Sequence, residues 1–136
     1  MRRGVQRHCV VALDDGRVFV IGGMTETVGH AADVVYCKLA ANTDVGSINP
    51  SDFWMQAAPL NVARHSHSAA VVGDRIVVVG GFDLVSGHTN TVEMFTPPCR
   101  LGDLGQWTKL SPLSPNQNVL SLTVCSGRPI AFGKAL

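Results

Sequence analysis

Apolar residues in this chain come in short runs bounded by glycine, asparagine, aspartate and proline, a punctuation that predicts strands rather than helices. The clearest case is residues 59–81. Ser66, Ser68, Ala69 and Ala70 lead into Val71 and Val72, and Gly73-Asp74 forms a tight turn. Ile76–Val79 is then β-branched without a break, as suits a strand covered on both faces. Gly80-Gly81 supplies backbone that can turn with positive φ or lie close to another strand. Residues 8–13 and 17–21 predict a second hairpin around Asp14-Asp15-Gly16. Residues 24–32 read as a loop. Residues 33–39 read as a third strand, with Val34 and Tyr36 alternating against Val35 and Cys37. Residues 40–52 read as a long polar connection to an outer strand near Trp54. Thr96–Asp103 contains two prolines and is not strand throughout. Helix is expected to be negligible.

These elements repeat. Arg-His at 7–8 returns at 64–65, a shift of 57 (64 − 7), and Gly-Gly at 22–23 returns at 80–81, a shift of 58 (80 − 22), so the hairpins differ by one residue. Each copy then has an aromatic, Tyr36 or Phe95, followed by Trp54 or Trp107 and a Pro-Leu pair at 59–60 or 112–113. The first copy carries about six more residues between its aromatic and its tryptophan (18 against 12), a length change that surface loops absorb cheaply. A third copy follows at a shift of 53. Pro112-Leu113 matches Pro59-Leu60, and Val124, Arg128 and Gly133 match Val71, Arg75 and Gly80. Such self-similarity signals supersecondary units, none of which buries its apolar face alone.

Arg-His, Gly-Gly, an aromatic about a dozen residues on, then Trp: in this order the motif resembles the kelch repeat, over essentially the whole chain from Arg7. The third copy departs from it, with Gln117-Asn118 in place of Arg-His and Gly133-Lys134 in place of Gly-Gly. The resemblance implies an all-β fold of kelch-type β-propeller blades, incomplete: about two and a half four-stranded antiparallel blades in an open arc, with repeats at 7–58, 59–111 and 112–136. A closed propeller needs at least about four blades, so the expectation is a piece of a longer reading frame, ahead of self-association or partner chains that complete the ring. It also implies that Arg7 and Arg64 tie neighbouring blades, and that Trp54 and Trp107 pack where sheets meet. Tyr36 and Phe95 become repeat aromatics, His8 and His65 repeat positions, and Gly22, Gly23, Gly80 and Gly81 frame glycines.

The function implied is a protein-interaction scaffold that binds a peptide or protein through the loops between second and third strands and the segments between blades. Candidate contact residues are Thr25, Glu26, His30, Arg64, Asp83, Ser86 and His88, in loops Thr25–His30 and Asp83–Thr89 and lead-in segments Asn61–Arg64 and Ser114–Asn118. His30 and His88 are expected to be exposed. Many kelch proteins serve ubiquitin ligases through a BTB or F-box domain, which makes the substrate-reading part of a larger adaptor one implied role. The alternative is a fragment of a sugar-modifying propeller enzyme of oxidase or epimerase type. The copper chemistry of galactose oxidase needs two tyrosines, and this chain has one, Tyr36.

Composition narrows the rest. Apolar residues make up 46% and charged ones 15%, so the chain is not a disordered tail. A net charge of +1 gives no field to draw nucleic acid or an anionic membrane, and neither partner is expected. Cys9, Cys37, Cys99 and Cys125 show no short pairing pattern and read as thiols in a reducing compartment, cytoplasmic or nuclear. Met-Arg-Arg is followed by charge where a signal peptide needs an apolar core, and no run reaches the length of a membrane span. His65 and His67, two apart on a strand, could grip zinc or copper with His8. Cys9 and His67 do not complete a matching set, and the repeat accounts for the histidines without metal. Ser66 and Ser68 flank His67 but point to the opposite face, so no catalytic pair is implied and no catalytic or cofactor residue is assigned.

Overall fold

The computed structural model describes residues 4–27, 29–39, 53–100, 102–113, 117–125 and 128–135. The expected connection at 40–52 and part of the lead-in at 114–118 lie outside them. The named elements are all strands. In chain order they are β1 (Cys9–Ala12), β2 (Arg17–Thr25), β3 (Gly29–Lys38), β4 (Met55–Ala57), β5 (Ser68–Val72) and β6 (Arg75–Val79). There follow β7 (Phe82–Asp83), β8 (Gly87–His88), β9 (Val92–Thr96), β10 (Gln106–Leu110), β11 (Gln117–Cys125) and β12 (Arg128–Ala135). One antiparallel sheet runs β1-β2-β3-β4 and a second runs β5-β6-β9-β10, the same meander twice. β11 and β12 pair as the hairpin of a third unit, with Cys125 opposite Arg128 as Val72 is opposite Arg75. Antiparallel meanders of consecutive strands, with no closure into a barrel among the described residues, are incomplete kelch-type blades.

Residues 24–32 are not the expected loop. The β2–β3 ladder shifts register between Ile21 and Gly23 and then continues to Thr25 opposite Gly29. The matching piece of the second unit is the small β7–β8 ladder, where Phe82 faces His88 as Met24 faces His30. Both units thus end in a braced hairpin tip. The glycine pair permits the bend. Gly23 and Gly81 have φ of +112° and +96°, and a Cβ on Gly81 would sit 2.7 Å from the His65 carbonyl oxygen and 2.9 Å from His67 Cβ.

Register also corrects two repeat matches. The three-residue turn of the first hairpin is one longer than Gly73-Asp74, so positions before it match at a shift of 59, not 57. Gln6 bridges Met24 as His65 bridges Phe82, and Arg7 and Ser66 share a φ of 54°. Arg7 therefore matches Ser66, and His8 matches His67; neither matches the Arg64-His65 pair. In the third strand, Tyr36 lies opposite Phe19 as Met94 lies opposite Val77, so the position of Phe95 is held in the first unit by Cys37.

The two sheets pack face to face. Phe19, Ile21 and Val34 of the first share one buried cluster with Ile76, Val78, Phe95 and Trp107 of the second, with Tyr36 packed against it. Phe19 stacks on Tyr36 at 5.0 Å and meets the edge of Phe95 at 5.7 Å. Each such side chain contributes about 1.5–3 kcal/mol by leaving water. The opposite face of the second sheet holds Val77, Val79 and Val92 in a second cluster, with Val72, Met94 and Leu113 against it. Burial on both faces is why Ile76–Val79 carries no polar residue.

The tryptophans differ in their surroundings. Trp107 is buried, tilts over Phe95 at 4.8 Å, and donates its Nε1–H to the Ala58 carbonyl at 2.8 Å, a bond between sheets. Trp54 precedes β4, half-buried, edge-on to Phe53 at 5.4 Å.

Candidate functional site

The segment from β4 to β5 runs between the two sheets and fixes their joint. Leu60 and Arg64 donate their backbone N–H groups to Ala32 and Ala31, and the Gly23 N–H donates to the Arg64 carbonyl. The Arg64 side chain is wholly buried. Its Nη1 donates to the Gly80 carbonyl at 2.9 Å and its Nη2 to Glu93 Oε2 at 2.8 Å. Glu93, also buried, accepts from Asn61 Nδ2 at 2.6 Å on its other oxygen. Burial pulls the Arg64 guanidinium below its usual range, while Glu93 and Asp83 oppose the shift. The Arg64 side chain is thus a tie within its own unit, and only its backbone N–H and carbonyl reach the neighbouring sheet, so it does not make the expected side-chain link between blades; its burial removes it from the candidate contact set. Sequence reasoning missed Glu93, although a lone carboxylate inside Val92–Phe95 needs a buried partner.

At the joint the two hairpin tips and the lead-in segment meet through their rings, with His65 itself buried between them. His65 packs its ring 4.6 Å from that of His30 and 5.5 Å from that of Phe82, and His88 stands edge-on to Phe82 at 5.3 Å. His30 Nδ1 lies 3.3 Å from the Phe82 carbonyl oxygen, and His65 Nδ1 lies 2.9 Å from Ser66 Oγ. His30 comes from the first sheet and the others from the second unit, so the cluster straddles the joint. His88 is exposed as expected; His30, expected exposed, is half-buried because it stacks on the neighbouring unit. Burial first, then the nearby His30 and Arg7 charges, lowers the His65 pKa.

The second tip carries the most exposed apolar pair among the described residues, Leu84 at 74% and Val85 at 94%. Asp83 Oδ1 accepts the backbone N–H groups of Val85 and Ser86 at 2.8 and 2.6 Å, an Asx turn that holds the tip in one shape. Asp83 is itself buried and belongs to the brace, not to the contact surface. Ser86 is exposed beside it. On the first tip Glu26 is exposed and Thr25 half-buried. Residues 4–6 and 24–27 line a cavity of about 520 Å³ there.

His67 does not share a face with His65. Ser66, with positive φ, breaks the strand alternation between them, and His67 points to the buried interior against Gly22. Neither of its ring nitrogens makes a hydrogen bond of good geometry, and burial holds its pKa down to about 4 against the opposing pull of the Ile21 backbone. Cys9 Sγ donates to the His67 carbonyl at 2.8 Å, and burial raises that thiol to about 11, which keeps it in the thiol form at neutral pH. Among the described residues no group of three or more histidines, cysteines or acids could hold a metal ion, and no helix is long and apolar enough to cross a membrane. Cys9, Cys37 and Cys99 are free thiols.

Comparison with known proteins agrees with this architecture. The Kelch motif matches residues 63–114. The chain is 29% identical over 90 residues to Kelch-like protein 28 of Mus musculus, covering 61% of this chain and 15% of that protein. It is 27% identical over 136 residues to Kelch-like protein 36 of Bos taurus, covering 88% and 21%. A putative F-box/kelch-repeat protein of Arabidopsis thaliana is 25% identical over 127 residues, covering 93% and 31%. The chain thus spans about a fifth or less of the Kelch-like relatives it matches. With the matched motif, the repeated meander and the paired glycines in one register, the chain carries the Kelch motif and is similar to kelch-repeat proteins.

Proposed function

We propose that this chain is an interaction module that binds a peptide or protein partner on the face made by its hairpin tips and lead-in segment. The observation that carries this reading is the Leu84-Val85 tip: two apolar side chains held out in water by a turn that Asp83 fixes. Exposed apolar residues on a pre-shaped hairpin lose little entropy on docking, so they make good anchors. The flanking Thr25, Glu26, Ser86 and His88 add polar contacts of mixed character. No chemistry is needed for this role, and the module is read as non-enzymatic, cytoplasmic or nuclear. By likeness to the F-box/kelch-repeat relative, it serves as the recognition part of a larger adaptor. Further blades, from the rest of a longer chain or from self-association, complete the frame.

Affinity capture with chemical crosslinking tests the assignment. The wild-type chain, a Leu84→Ser/Val85→Ser variant and a Lys109→Gln control on β10 are compared in the same lysate, with circular dichroism to show that each is folded. Loss of specific partners from the tip variant alone supports the reading. Equal capture by all three places recognition elsewhere.

A further inference from the structure

The joint gathers bases and a cation on its loop face. Arg7 is exposed, and its left-handed backbone matches that of Ser66, whose side chain is also exposed. The Ser66 N–H donates to the Arg7 carbonyl at 2.9 Å, so the two positions sit side by side across the sheets. No described acid forms an ion pair with the Arg7 guanidinium; the Asp83 carboxylate is taken up by its turn, and Glu26 lies on the first tip. His30 Nδ1 faces the Phe82 carbonyl, which can only accept, so that nitrogen is the donor and Nε2 keeps the lone pair. His65, 4.6 Å away ring to ring, has its Nδ1 turned to Ser66 Oγ. The charges acting on His65 are those of His30 and Arg7, both repulsive to its proton, while His88 stands beyond Phe82. An anion in this place would reverse that repulsion and turn each imidazole into a donor.

We propose that Arg7, His30, His65 and the Ser66 hydroxyl form a proton-linked site for an anionic group of the partner, a carboxylate or a phosphate, held across the joint between the two sheets. The site deepens the docking reading and rests on it, because the anion is one feature of a partner seated on that face. Binding takes up protons, so affinity rises as pH falls from 7.5 to 6.

The imidazole NMR signals of His30 and His65 in the 136-residue chain report the site directly. Sulfate, whose charge is constant over this range, is titrated at pH 6 and at pH 7.5. Saturable shifts at pH 6 that weaken roughly tenfold at pH 7.5 are expected. Arg7→Gln and His30→Gln should each weaken binding roughly tenfold, with Lys109→Gln unchanged. Acetate and phosphate at pH 6 then distinguish the sources: tighter phosphate assigns a phosphorylated residue, tighter acetate an acidic side chain. The proposal is overturned if no anion gives a saturable shift, or if Arg7→Gln binds sulfate as the wild type does. That failure leaves capture through Leu84 and Val85 intact, whereas loss of the docking reading appears as capture indifferent to those residues.

Discussion

Arg64 and Glu93 make the frame depend on single atoms. Each is buried with its charge, and each is the other's principal compensation. Removing one partner of such a pair leaves an uncompensated charge and costs about 3–5 kcal/mol. Glu93→Gln should therefore lower stability by that order in urea melts, with Asn61 losing its stronger acceptor too. Replacing both, as Arg64→Met/Glu93→Leu, should cost less than the sum of the two single changes, because no orphan charge remains. Additive losses would show that the pair is not coupled. His67 gives a second prediction, in pH. Burial keeps it neutral with a pKa of about 4, against about 6.5 in an unfolded chain. Between those values the unfolded state holds more protons. The stability it contributes is complete above pH 6.5, falls as pH drops toward 4, and is lost below that. At about 1.4 kcal/mol per unit the loss approaches roughly 3 kcal/mol. The urea midpoint of the wild type should fall between pH 7 and 4.5, and that of His67→Gln should fall distinctly less; parallel slopes would assign the effect to other groups.

Turns and hairpins show which glycines the fold depends on. Gly73 and Gly81 both have positive φ, so alanine strains the backbone at either. Around Gly73 the space for a Cβ is open, whereas at Gly81 the His65 carbonyl and His67 stand within 3 Å. Gly73→Ala should cost about 1 kcal/mol, the strain alone. Gly81→Ala should cost distinctly more, read as a larger drop in melting temperature; equal drops would mean that the lead-in segment yields freely. The strand pattern itself was legible, because β-branched runs and glycine pairs state it locally. The Arg-His match was not: motif identity put Arg7 on Arg64, while strand register, counted through a hairpin one residue longer, puts it on Ser66. Tyr36 was matched to Phe95 for the same reason, both being aromatic, although Cys37 holds that place. The His30–His65–Phe82 stack lay further from reach. It joins residues of two units, and only the packing of one sheet on the next brings them together.

Across the molecule, one face of each sheet is made to be covered by the unit that follows. Phe19, Ile21 and Val34 are covered by the second sheet. The corresponding set in that sheet, Val77, Val79 and Val92, is nearly as buried, at 5%, 3% and 9% exposure. Repeat arrays behave this way because a unit's stability includes the interface with its neighbour. The β11–β12 hairpin, although it departs most from the repeat motif, is then not dispensable: it is the unit placed after the second sheet. A chain ending at Leu113 should present that valine face to water, and exposed apolar patches of this kind drive association. Light scattering on the shortened chain should give a mass that grows with concentration, together with a lower melting temperature, relative to the 136-residue chain. A shortened chain with unchanged mass behaviour and unchanged melting would show that the valine face is stable without the third hairpin, and that the repeat logic stops at the second sheet.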